Sequence, residues 1–114
     1  MVWQSYPLLS LEISKKRNKR DAVFDPLLHQ PVRSKLLSAL ITNDELPFKA
    51  LKESLGVTDG NLSSHLSKLE KEEYVLIEKT FEGKRPKTVI HITSKGKKAF
   101  ADYIEALKKF IEEN

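Results

Sequence analysis

The chain has 114 residues, with 20 Lys and Arg against 16 Asp and Glu, and therefore a formal net charge of +4. This length is enough for a single modest core, and the basic balance favours an acidic partner. The absence of cysteine excludes disulfides, thiolate metal sites and cysteine nucleophiles. The sequence contains neither a run of about 20 apolar residues nor the basic start of a secretion signal, so we expect a soluble, cytoplasmic protein without a membrane partner.

The first 24 residues are predicted to form an arm that takes part in dimerisation. Leu9, Leu11 and Ile13 alternate with polar residues, which is typical of an edge strand. The basic run from Lys15 to Arg20 contains no apolar residue, so it is either a solvated connector or a basic arm.

A core helix is predicted to begin at Pro31, because proline is favourable at a first helical position, where its missing N–H has no helical partner. Apolar residues then recur at helical spacing, at Val32, Leu36, Leu37, Leu40 and Ile41. Residues 43 to 47 are predicted to connect this helix to the next.

Residues 48 to 74 are predicted to form two short helices joined by a tight turn. Leu51 and Leu55 lie four apart on the first helix, and Gly56 suits the left-handed conformation that ends it. Thr58 is a good N-cap for the second helix. The buried face of that helix is predicted at Leu62, Leu66 and Leu69.

The outer face of this second helix carries short polar residues near its N-terminus. They are Asp59, Gly60, Asn61, Ser63, Ser64 and Ser67. An ordinary surface helix would carry Glu and Lys at such positions, whereas short side chains let a helix approach base edges closely. The pattern indicates the recognition helix of a helix-turn-helix DNA reader. In this helix, His65 is predicted to pack or to form a hydrogen bond within the protein and not to contact a base.

Two β-prone runs, 74–77 and 88–92, flank a basic segment, 81–87, that contains Gly83. This arrangement predicts a hairpin, and a hairpin directly after a recognition helix is the wing of a winged helix-turn-helix. Thr93 or Ser94 is predicted to cap a last helix. The apolar stripe of that helix is wider than a lone surface helix needs, so part of it is predicted to pair two subunits, through Phe100, Tyr103, Ile104, Leu107 and Ile111.

The order of these elements resembles that of the MarR-like and ArsR-like winged helix-turn-helix transcriptional regulators, especially their small archaeal and bacterial members. The resemblance covers residues 26 to 112 and is strongest over Gly56–Glu70; Asp25–Leu28, Pro31–Arg33 and Ile92–Gly96 add to it. It implies a mainly α fold with a small β-hairpin (α+β), in which helices are followed by a two-stranded wing and a C-terminal helix. The chain then divides into an arm (1–24), a DNA-binding domain (25–93) and a dimerisation helix (94–114).

The resemblance also implies how such a chain meets DNA: the recognition helix enters the major groove, and the wing touches the adjacent minor groove or backbone. The matching positions are Thr58, Asn61, Ser63, Ser64, Ser67 and Lys68 on the helix and Lys84, Arg85 and Lys87 in the wing. Asparagine can bind adenine bidentately, and cationic side chains neutralise phosphates. The Cys pairs and the His and Asp clusters of metal-sensing relatives are missing, so neither a metal nor a cofactor is expected.

We therefore expect a homodimer that binds duplex DNA sequence-selectively and represses by occluding a promoter. No nucleophile, base and orienting group can be assembled from the sequence, so an enzyme is not expected. Two alternatives stay open: a winged-helix module for protein–protein interaction in a transcription complex, and an architectural DNA binder without sequence preference. A small-molecule effector is compatible with the resemblance, but no set of residues identifies it.

Overall fold

The computed structural model describes residues 24–113, so the predicted edge strand at residues 9–13 and the basic run at 15–20 lie outside the described residues. The described part contains four helices and three strands and has the α+β winged-helix fold that the sequence predicts. In chain order these elements are α1 (Pro31–Asn43), β1 (Glu45–Pro47), α2 (Phe48–Leu55), α3 (Asp59–Lys71), β2 (Val75–Glu82), β3 (Arg85–Ile92) and α4 (Ser94–Glu113).

Helix α1 begins at Pro31, as predicted, and its N-cap is Gln30. The side-chain oxygen of Gln30 accepts a hydrogen bond from the backbone N–H of Arg33 at 2.8 Å. This bond satisfies one of the free N–H groups of the first turn. Of the predicted apolar stripe, Ile41 is 39% exposed. The buried face of the helix is therefore narrower than its sequence pattern indicates, and it consists of Leu36, Leu37 and Leu40.

Residues 45 to 47 form a strand where the sequence predicts only a connection. Strand β1 pairs antiparallel with β3, with Leu46 opposite Ile90, and the sheet order is β1-β3-β2. The sheet is therefore three-stranded. Three residues with a single interior apolar side chain are too few to show the alternation by which a strand is recognised, so this strand is determined by its distant pairing partner.

The hairpin is longer, and its turn shorter, than the sequence indicates. Strands β2 and β3 extend to Glu82 and Arg85, which are paired, so the turn consists of Gly83 and Lys84 alone. Gly83 has a φ of 65°, and a two-residue hairpin with a positive φ at its first central position favours glycine there. Arg85 and Lys87, predicted in the loop, therefore belong to β3.

The described residues fall into two compact units, Asp25–Asp102 and a second unit that contains Phe24 and the part of α4 from Tyr103 onwards. In the first unit, helices and sheet share a core of fully buried aliphatic side chains. These are Leu28, Leu36, Leu37, Leu40, Leu51, Leu62, Leu66, Leu69 and Ile90. Helix α3 therefore rests on a continuous apolar base.

Helix α4 begins tightly against the segment that follows α3. Thr93 is its cap, because its Oγ1 accepts a hydrogen bond from the N–H of Gly96 at 2.9 Å. The same hydroxyl lies 2.6 Å from the carbonyl oxygen of Glu73, to which it can donate. A side chain at position 96 would collide with the carbonyl oxygen of Tyr74. Glycine at this position therefore permits the close approach of α4.

Candidate nucleic-acid interface

The turn between α2 and α3 fixes the start and direction of α3. Gly56 ends α2 in the left-handed conformation, with a φ of 65°, and its N–H donates to the carbonyl of Lys52 at 2.9 Å. Thr58 Oγ1 accepts from the N–H of Asn61 at 3.1 Å and so caps α3 as predicted. Across the turn, Lys52 Nζ lies 2.9 Å from Asp59 Oδ1. These contacts join the end of α2 to the first turn of α3.

Helix α3 divides cleanly into a buried face and an open face. Its leucines, at positions 62, 66 and 69, are buried. The side chains predicted to contact DNA are all exposed, namely Thr58, Asn61, Ser63, Ser64, Ser67 and Lys68. A Cβ added to Gly60 would meet nothing within 4 Å. The structure thus brings this part of the predicted set together on one accessible surface with short side chains.

His65 lies beside this surface and is held from α1. Its Nδ1 is 3.0 Å from Nη1 of Arg33, and Nε of Arg33 donates to the carbonyl of Leu27 at 2.6 Å. Burial, followed by the positive charges of Arg33 and Lys68, lowers the pKa of His65. His65 is therefore a hydrogen-bonding residue, as the sequence predicts. The role of Arg33 has no local sequence signal, because its partner is 32 positions away.

The three predicted cations of the wing do not lie on one surface. Lys84 is in the turn, whereas Arg85 and Lys87 lie on β3 and share one face, since side chains two apart on a strand point the same way. Lys87 Nζ is also 3.7 Å from Glu82 Oε2, which offsets part of its charge. Lys84 and Arg85 are exposed, and they are the more accessible cations of the three.

A groove of about 400 Å³ lies between α3 and the wing. Two of the predicted DNA-contacting residues, Ser63 and Ser67, line it from the helix, and Lys79 and Thr88 line it from the hairpin. Lys79 is exposed and is absent from the predicted set, because the sequence pattern predicts that the first wing strand ends at residue 77. Continuing the strand alternation to Gly83 would have placed Lys79 on the face of Ile77.

Comparison with known proteins assigns this architecture to a family. The family model of the winged helix DNA-binding domain matches residues 32–111. The chain belongs to this family. An uncharacterized protein of Methanocaldococcus jannaschii is 44% identical over 78 residues, which are 68% of this chain and 85% of that protein.

Solved structures agree with the winged-helix assignment. A transcriptional regulator homologue from Pyrococcus horikoshii is similar with a TM-score of 0.74 and 29% identity, over 90% of this chain and 94% of that one. NadR, solved in complex with 4-hydroxyphenylacetate, is similar with a TM-score of 0.62 and 18% identity, over 99% of this chain and 78% of that one. The winged-helix chain thus shares its fold with transcriptional regulators and is a member of a DNA-binding family.

The residues predicted at a dimer seam differ in accessibility within the winged-helix chain. Tyr103 is buried, and Phe24 packs edge-on against it, with ring centroids 6.1 Å apart. Ile104 is 37% exposed and Ile111 is 64% exposed. Phe100 and Leu107 are half-buried. The apolar surface that α4 leaves in water therefore includes Ile104 and Ile111.

Residues 24–113 contain no group of three or more His, Asp or Glu side chains placed to hold a metal ion. None of the helices in this part of the winged-helix chain is long and apolar enough to cross a membrane.

Proposed function

We propose that this winged-helix chain is a transcriptional regulator that binds duplex DNA sequence-selectively as a homodimer and represses by covering a promoter. The observation that carries the proposal is the open face of α3. Short donors and acceptors at Asn61, Ser63 and Ser64 share this face with Lys68, and leucines occupy the opposite face.

The dimensions of α3 suit the major groove. A helix with its side chains is about 10–12 Å across, and the major groove of B-DNA is about 12 Å wide, so short side chains permit close entry. The amide of Asn61 can bind an adenine edge bidentately, and the serine hydroxyls can donate to or accept from several bases. Thr58 and Lys68 flank these side chains and suit phosphate oxygens.

The wing supplies charge beside the recognition helix. Lys84 at the turn and exposed Arg85 suit the adjacent minor groove or its phosphates. Lys87 contributes less, because Glu82 lies close to its ammonium group. Lys79 joins the proposed surface, since it shares a groove with Ser63 and Ser67 on α3. Of the carboxylates near this surface, Asp59 is paired with Lys52.

Two copies of the chain would pair through α4. DNA half-sites are commonly read by two-fold symmetric pairs, and α4 exposes Ile104 and Ile111. Burying such side chains against a second copy would stabilise the pair by the hydrophobic effect.

The test of the function is fluorescence anisotropy with duplexes that tile the upstream region of the chain's own gene, beside a scrambled duplex, at about 50 and 200 mM salt. We expect one tile to bind at least ~10³-fold more tightly than the scrambled duplex. Equal and steeply salt-dependent binding to every tile would indicate an architectural binder instead. Absence of binding at both salt concentrations would favour a protein-interaction module.

Two single substitutions separate base reading from phosphate contact. Asn61→Ala should cost about 1–3 kcal/mol on the preferred tile and relax its selectivity at one position of each half-site. Lys84→Ala should weaken binding to all duplexes alike and reduce the salt slope by about 1. Lys108→Ala removes the same charge from an exposed position on α4 outside the proposed surface. It should leave the affinity for each duplex and the salt slope unchanged.

A further inference from the structure

An aromatic side chain stands exposed near the tip of the wing. Phe81 is 70% exposed, and its cross-strand partner is Pro86. Glu82 and Arg85 form the pair next to the two-residue turn. In such a hairpin this closing pair exchanges hydrogen bonds, so Phe81 and Pro86 form the next, non-hydrogen-bonded pair, in which side chains lie closest together. The two rings therefore make one apolar unit.

Proline is accommodated at this position because β3 has an open edge there. Strand β1 pairs with β3 only as far as Val89, so β3 has no strand partner on that edge at position 86. The missing N–H of Pro86 faces this open edge, and no hydrogen bond between strands is lost. The pyrrolidine ring also restricts the backbone. The support beneath Phe81 is therefore stiff.

Strand register shows which face of the wing carries this pair. Side chains alternate along a strand, so the pairs Ile77–Ile90, Lys79–Thr88 and Phe81–Pro86 lie on the same face. Ile90 is buried in the core, and Ile77, Lys79 and Thr88 line the groove beside α3. The face of the hairpin that packs on the core thus continues beyond the core. It runs along the recognition helix and ends at the exposed Phe81.

The charges around Phe81 indicate the partner that suits it. Lys79 lies two residues before it on the same face, and Lys84 lies in the turn beyond it, whereas Glu82 and Arg85 are cross-strand partners on the opposite face. An apolar ring among cations is complementary to a polyanion that has an apolar interior. Duplex DNA has that character, since its stacked bases lie between two rows of phosphates.

We propose that Phe81, supported by Pro86, inserts into the minor groove next to the major groove that α3 enters, and partly unstacks a base step there. This inference rests on the proposed DNA-binding function and adds a second source of selectivity to it. Apolar wedges bend the duplex, and pyrimidine–purine steps unstack more easily than others. The chain would therefore prefer a flexible step at a position where it makes no base-specific hydrogen bond.

The experiment uses the full chain and the upstream duplex that it binds most tightly, labelled at both ends for energy transfer and carrying 2-aminopurine at the flexible step. Phe81→Ala should lower affinity roughly tenfold, with less bending, less 2-aminopurine fluorescence and an unchanged salt slope. Phe81→Leu retains an apolar wedge and should retain most of the bend. Leu76→Ala is the matched control, since Leu76 is 58% exposed on the same strand but on the opposite face.

Three results would overturn the wedge. Wild-type affinity and bending in Phe81→Ala would exclude it while leaving the proposed function in place. A loss of affinity with a reduced salt slope would assign the effect to phosphate contacts. A duplex that wild-type chain binds without bending or a 2-aminopurine signal would show that no step is unstacked. If the wild-type chain bound no duplex, the proposed function would itself fail, and the inference with it.

Discussion

Arg33 on α1 donates a hydrogen bond from Nη1 to Nδ1 of His65 on α3 over 3.0 Å. Arginine can only donate, so Nδ1 of His65 accepts and the ring is neutral, with its proton on Nε2. The helix that carries the proposed base-reading surface is thus tied to α1 through a neutral imidazole. Protonation of His65 would remove the acceptor and place two positive charges side by side.

The stability of the chain should therefore decrease in mild acid. Burial, Arg33 and Lys68 lower the pKa of His65 below its ordinary 6.5. Below pH 6.5 the unfolded chain takes up a proton on this residue that the folded chain resists. The free energy of unfolding should therefore decrease as the pH is lowered from 6.5 to the pKa of His65 in the folded chain. Above pH 6.5 His65 should add no pH dependence. Urea denaturation at a series of pH values measures this.

The control for this prediction is His65→Gln, which retains an acceptor for Arg33 but does not titrate. Its free energy of unfolding should change less than that of the wild type between about pH 7 and pH 5. His29 and His91 are present in both proteins, so the two proteins differ at position 65 alone. Identical pH profiles for the two proteins would contradict the assignment of this effect to His65.

Two glycine-to-alanine substitutions should change stability in opposite directions. A methyl group at Gly96 would collide with the carbonyl oxygen of Tyr74 and lie 3.1 Å from Cγ1 of Ile92. Gly96→Ala should therefore lower the free energy of unfolding by about 1–3 kcal/mol. At Gly60 an added Cβ meets nothing within 4 Å, so Gly60→Ala should raise it by up to about 1 kcal/mol. Denaturant midpoints test both, and a stable Gly96→Ala variant would show that α4 can shift.

The hydrogen bond between Tyr74 and Asp25 should contribute to the stability of the chain. Tyr74 donates from its hydroxyl to Oδ2 of Asp25 at 2.6 Å. Tyr74→Phe should lower the free energy of unfolding by about 1.5–3 kcal/mol, the range for hydrogen bonds to charged groups. Asp25→Asn retains an acceptor and should cost less. Equal losses for the two variants would show that the charge of Asp25, and not the hydrogen bond alone, is what matters.

The same contact predicts a response to alkali. Burial, followed by the hydrogen bond to Asp25, raises the pKa of Tyr74 above its ordinary 10.0. The unfolded chain therefore loses this proton first, and stability should fall as the pH rises above that value. Denaturation in alkaline buffers should show this decrease in the wild type, and the Tyr74→Phe variant should lack this component of it.

The oligomeric state should depend on the exposed apolar face of α4. Ile111 is 64% exposed, so Ile111→Glu does not disturb the core, and it should dissociate the proposed homodimer in sedimentation velocity. Leu76→Glu introduces the same charge at another exposed apolar position and should leave the dimer intact. If the Ile111→Glu variant remained a dimer, the result would contradict an interface on α4 and favour the N-terminal arm as the interface.

Local chemistry was enough to predict the helix-turn-helix and its open face. Gly56 and Thr58 act within one turn of their own positions, and the leucines of α3 recur at helical spacing, so their effects are readable from neighbouring residues. The exposure of Asn61, Ser63 and Ser64 follows from that spacing. The recognition-helix half of the candidate interface was therefore predictable from the sequence.

Only the tertiary structure decided the rest, because the partners are far apart in the chain. Strand β1 exists through its pairing with β3, which no pattern within its three residues indicates. Arg33 meets His65 across 32 positions, and Tyr74 meets Asp25 across 49. The full length of the hairpin put Phe81 on the α3 side of the wing and Arg85 on the other. Strand register and long-range contacts depend on the packing of the whole domain, whereas caps and helical periodicity depend on a few neighbouring residues.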